Sequence, residues 1–282
     1  MSTPPPEGSS RRDAPASLLD RPSALPRACV APLVDLVVAL ADNKHALGLR
    51  YAEWCSSGPT IEAGVAATAM AQDELGHARV LYGLLEELPG APRRSEHEWV
   101  AADARTIAFV NASFAGWPHL IVANVMIDRA LATVLETALE SRYLPLRQRA
   151  RKIIEEERYH AIHGQSWLAQ LAADSQDARA QLTAGLRDIW GDALCWFGPA
   201  DGGSLRVLVD AGVLAAAGDA VRNRFVAHLA PVLDAAGVPA PLRGAGREAA
   251  GNHDINAEGR WDLTEPLPWD RWDERARRIQ PS

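Results

Sequence analysis

The sequence predicts an all-α protein: a four-helix bundle with additional C-terminal helices and an irregular C-terminal tail. Three observations carry this expectation. Long segments with helical apolar spacing alternate with Pro- and Gly-rich breaks such as Ser56-Ser57-Gly58-Pro59 and Pro89-Gly90-Ala91-Pro92. One four-residue pattern, Glu-x-x-His, occurs twice, as Glu74-Leu75-Gly76-His77 and Glu157-Arg158-Tyr159-His160. The segments are ordered as a hairpin, a longer crossover and a second hairpin.

The elements follow from the breaks. A first helix is expected from about Pro32 to Cys55, and a second from a cap at Thr60 to about Leu88, with Glu62 in its first turn. The crossover is charged from Arg93 to Arg105 and carries Trp99, Phe109, Phe114 and Trp117. A third helix is expected after Pro118 to about Tyr143, a fourth from Leu146 to Ala173, a fifth from Asp177 to Phe197 and a sixth from Gly218 to Ala236. Three regions result: a disordered leader over residues 1–29, rich in Pro, Ser and Arg; the bundle over 30–236; and an irregular tail over 237–282, which Trp261, Trp269 and Trp272 are expected to pack onto the bundle.

Bulk properties exclude several function classes. A net charge of −7 argues against nucleic acid as a partner, and mixed charge leaves no basic stripe for a membrane surface. Neither a secretory leader nor an 18-residue apolar run is expected, and three widely spaced cysteines suggest free thiols in the cytoplasm. No GxSxG or phosphate-loop pattern is present.

The repeated pattern points to metal chemistry. Glu and His three residues apart share a helix face. Two such helices, each paired with a carboxylate from another helix, build the dinuclear site of ferritin-like bundles. The paired carboxylates can be sought by height. Glu74 lies about 14 residues past the first turn, and the same distance back along helix one reaches Ala41 to Asn43, hence Asp42. Glu157 lies about 12 residues past the second turn, level with Asp128. The separations are similar, 74 − 42 = 32 and 157 − 128 = 29. The candidate ligands are therefore Asp42, Glu74, His77, Asp128, Glu157 and His160, a donor set suited to two iron ions, with manganese an alternative. Asp73 and Glu156 are placed to accept the second ring N–H of the opposite helix's histidine. Glu53 and His45 are alternatives on helix one, Glu136 and Glu140 on helix three; Glu53 is expected at the bundle's end and His45 in the core. His163 is read as an ordinary histidine.

Parts of the chain resemble the phenylacetyl-CoA epoxidase subunit family. Ala41-Asp42-Asn43, Tyr51-Ala52-Glu53-Trp54-Cys55 and Gly58-Pro59 are similar to the accessory, non-catalytic subunit. Gln72 to Ala78, Ile127 to Ala130 and Glu156 to His160 are similar to the metal-binding segments of the catalytic subunit. The similarity covers roughly residues 30–235. It implies ligand roles for Glu74, His77, Asp128, Glu157 and His160, with Asp42 the geometric choice on helix one. It also implies a substrate carried on CoA or a carrier protein. The expected function is O2-dependent di-iron oxygenation of a small organic molecule. An electron-donating reductase is required, and the assembly would be a homodimer or a hetero-oligomer with a related subunit. A non-catalytic scaffold subunit, recognised by an empty or defective site, and a ferroxidase are the alternatives.

Overall fold

The computed structural model describes residues 17–239 and 267–280. Most of the expected leader and the tail segment containing Trp261 lie outside the described residues.

Four long helices form the bundle. Helix α1 (Arg27–Ala52) starts earlier than expected, with Pro32 inside it. Helix α2 (Ile61–Glu87) starts where Thr60 Oγ1 accepts a hydrogen bond from Ala63 N at 3.1 Å, as the cap reading requires. These two helices are the most extensively packed pair. Gly48 permits the approach: a Cβ there would stand 2.8 Å from Leu75 Cγ. Between the hairpins the chain makes only short 3₁₀ turns, including Glu96–Glu98 and Ala101–Asp103.

The second hairpin pairs α3 (Trp117–Glu136) with α4 (Leu144–Asp174). Helix α3 ends seven residues before the expected Tyr143 and contains a π turn, Asn124–Asp128, between α-helical stretches. It also corrects the expectation that no segment is apolar enough to cross a membrane. Asp128 and Arg129 mask the run, but Trp117–Glu136 passes by length and composition. Most of it is buried among the other helices, which makes it the bundle's core helix.

Helix α5 (Gln176–Cys195) packs on α3 and α4, α6 (Arg206–Asp210) rests on α1, and α7 (Asp219–Ala236) covers α3 and α4 from outside. At the N-terminal side, residues 17–26 are ordered against the bundle: Leu19 N donates to Arg142 O at 2.8 Å and Leu144 N donates to Leu19 O at 2.9 Å. At the other end, β1 (Trp272–Asp273) and β2 (Arg278–Ile279) pair antiparallel. Arg277 is buried there over the Trp196 ring, 5.1 Å from its centroid.

Candidate metal centre

Helices α2, α3 and α4 bring Glu74, Asp128, Glu157 and His160 together, with one ligand atom from each within 4.8 Å of the others. All four are buried. His77 joins them from α2, with its Nδ1 3.3 Å from Glu157 Oε1 and 3.5 Å from Glu74 Oε1. The imidazoles turn Nδ1 inward and Nε2 outward. His160 Nδ1 is 3.0 Å from Asp128 Oδ2, and its Nε2 is 3.3 Å from Asp73 Oδ2; His77 Nε2 is 2.6 Å from Glu156 Oε2. Asp73 and Glu156 thus sit at the second ring nitrogen of the opposite helix's histidine, the arrangement that fixes which nitrogen faces inward.

The π turn sets the position of Asp128. Its extra residue per turn displaces the α3 backbone, and the Asn124 amide donates to Asp128 Oδ2 at 3.3 Å and to Tyr51 Oη at 3.4 Å. Gly164 on α4 makes room for it: a Cβ there would overlap Asn124 Oδ1 and stand 3.0 Å from Val125 Cγ1. Gly164→Ala is therefore expected to push α3 and α4 apart and cost about 1–3 kcal/mol through overpacking. Urea unfolding checks the stability loss.

Asp42 does not join the cluster. Its carboxylate accepts hydrogen bonds from Tyr82 Oη at 2.7 Å, Arg94 Nη1 at 3.0 Å and Arg105 N at 2.8 Å, tying the crossover to α1. Two residues on, about 200° around the helix, Lys44 faces the site instead. Its ammonium donates to Glu74 Oε1 at 2.9 Å, to Asp128 Oδ1 at 2.6 Å and, very closely, to Glu157 Oε1. Lys44 is fully buried. Helix one contributes a cation where a carboxylate was expected.

Electrostatics follow from that contact. Burial disfavours the charged form of Lys44, but Asp128, Glu157 and Glu74 outweigh it and hold the ammonium protonated far above its usual range. Burial also opposes charge on His77, yet the nearby carboxylates of Glu157 and Glu74 raise it to about 9. His160 is raised further, against burial, chiefly by Asp128. Burial and Asp128 push Glu157 up to about 7, against the pull of Lys44. Asp128 and Glu74 are lowered, because Lys44 and the histidines overcome burial. Lys44, His77 and His160 thus meet Glu74, Asp128 and Glu157 on the inside, and Glu156 and Asp73 meet the outer nitrogens of the two histidines.

Two features fit one metal ion. Glu74, Asp128, Glu157 and His160 form a compact carboxylate–imidazole donor set of the kind that suits iron or manganese. Glu74 Oε2 and His77 Nδ1 are buried without a well-aligned hydrogen-bond partner. A pair of divalent ions does not fit the same donors with Lys44 in place, because helix one supplies no carboxylate and adds a positive charge.

The remaining candidates lie elsewhere. Glu53 pairs with Arg50 at 2.8 Å and accepts from Ser113. Glu136 and Glu140 pair with arginines. His45 stacks beside Trp99, with centroids 5.0 Å apart, and His163 packs against Trp117 and Trp167. The crossover aromatics do not form the cavity wall at the cluster. That cavity, of about 370 Å³, opens between α3, α4 and α7, with Asp128, Glu157 and His160 along one side and Ala132, Leu229 and Val232 on its apolar wall. Sequence reasoning missed Lys44, although a lysine in the middle of the mostly apolar helix one, and one of only two in the chain, was a readable signal.

A sequence model of the family described as "Phenylacetic acid catabolic protein" matches residues 19–272. No curated protein matches the chain.

Proposed function

The chain belongs to the phenylacetic acid catabolic protein family, and from that premise we propose that it is a metal-dependent oxidoreductase using O2 to oxygenate a small organic molecule. The observation that carries this reading is the buried donor set beside an apolar cavity. Maintaining so many ionisable groups in a helical core is costly, and well-packed apolar residues would serve stability as well or better. Glu74, Asp128, Glu157 and His160 would hold one iron or manganese ion, with His77 adjacent. A redox metal there supplies electrons for reducing O2. Asp73 and Glu156 hold the imidazoles in orientation, and the apolar wall of the cavity orients a substrate beside Asp128 and Glu157. The family resemblance adds a CoA or carrier tether to that substrate. Electrons must come from outside, so a reductase partner belongs to the proposal, as do a second copy or a related subunit and action in the cytoplasm.

The test is anaerobic loading with Fe(II) followed by oxygen. Uptake of O2 in proportion to bound iron is expected; protein that binds iron yet consumes no O2 sinks the oxygenase reading. A second reading, a non-catalytic partner subunit, is favoured by one observation: the Lys44 ammonium already stands among Glu74, Asp128 and Glu157. It predicts purified chain with no bound metal and a stable complex with a catalytic relative.

A further inference from the structure

We propose that the Lys44 ammonium takes the place of one metal ion, so that this chain holds at most one metal where its carboxylate–imidazole ring would otherwise take two. This rests in part on the reading above that the cluster binds metal at all.

The argument is one of position and charge. Lys44 Nζ lies among Glu74 Oε1, Asp128 Oδ1 and Glu157 Oε1, one oxygen from each carboxylate of the compact donor set. A dinuclear site of this architecture uses four carboxylates and two imidazoles, whose four negative charges balance two divalent ions. Here the charged groups on the metal side are three carboxylates and one ammonium. Adding two divalent ions would leave a buried excess of positive charge, which is strongly unfavourable. One divalent ion with the ammonium retained balances the three carboxylates. The nearest acidic side chain on α1 cannot make up the deficit, because Asp42 faces away and is held by Tyr82, Arg94 and the Arg105 backbone. Nor can the outer carboxylates, since Asp73 and Glu156 are engaged at the outer histidine nitrogens.

The experiment is Mn(II) loading of the full chain and of Lys44→Glu, read by metal content and by electron paramagnetic resonance. The wild type is expected to take at most one Mn(II) per chain, with the spectrum of an isolated ion. Lys44→Glu restores the missing carboxylate and is expected to take two, with the spectrum of an exchange-coupled pair. A coupled pair in the wild type overturns the inference and leaves the metal-dependent reading intact. A Lys44→Glu protein that gains no second ion also overturns it. An empty wild type with a two-ion Lys44→Glu supports the inference and sinks metal-dependent function for the native chain. Should Lys44→Glu fail to fold, Lys44→Gln removes the competing cation at similar size. It is expected to tighten Mn(II) binding at least about ten-fold, and unchanged affinity overturns the inference.

Discussion

Lys44→Met is expected to destabilise the metal-free protein by about 3–5 kcal/mol, the range for removing one partner from a buried ion network. The methionine fills the lysine's space, so the loss reports charge rather than volume. It leaves Glu74, Asp128 and Glu157 facing one another without the ammonium that draws all three. The direction with pH is fixed by Glu157. Burial and Asp128 raise it from 4.5 to about 7 in the presence of Lys44. A carboxyl whose folded pKa is raised favours the folded state when protonated, and that contribution disappears as pH rises from about 4.5 through 7. Without Lys44 the elevation grows, so the deficit of the variant should be largest above pH 7 and narrow toward pH 5. Mn(II) should restore part of it, because an ion bound only by the folded state stabilises it by mass action. Urea unfolding at the two pH values, with chelator and with Mn(II), measures all three effects. A variant as stable as the wild type in chelator at pH 8 contradicts the account.

Glu74→Ala is expected to abolish metal binding and O2-dependent turnover while leaving helix content near that of the wild type. Glu74 sits between the halves of the cluster, 2.9 Å from Lys44 Nζ and 3.4 Å from His160 Nδ1, with its second oxygen free of hydrogen bonds. Glu53→Ala is the matched control. Its carboxylate pairs with Arg50 near the end of α1, and losing a partly exposed pair of this kind costs about 0–1 kcal/mol with no loss of metal. Metal content by mass spectrometry and far-ultraviolet circular dichroism of both variants make the comparison.

The hairpins and five members of the ring were legible because each is written locally. Glu-x-x-His fixes both spacing and face, and the breaks at Gly58-Pro59 and at Tyr143 to Pro145 fix the lengths of the arms. The helix-one residue was not legible by the same counting. Height along a helix is known from the turns only to about one turn, and within that window Asp42 and Lys44 point in nearly opposite directions. The expectation that the ring is made of acids then selected Asp42. A lysine in the middle of a mostly apolar helix, one of two in the chain, carried the better signal, since such a charge is buried only when opposite charges surround it. The π turn at Asn124–Asp128 leaves no simple periodic trace, because it shifts the phase of a helix that is apolar on nearly every side. The cavity was beyond reach for another reason: Leu229 and Val232 of its wall come from α7, about 70–100 positions after the rest.

Many small metalloproteins cannot fold until their ion arrives, because the free energy of binding the ion is part of the free energy of folding. In this chain an internal cation joins the same groups: the ammonium on the first helix donates to the second, third and fourth at once. The chain is therefore expected to fold with chelator present, and an ion would then enter a finished fold.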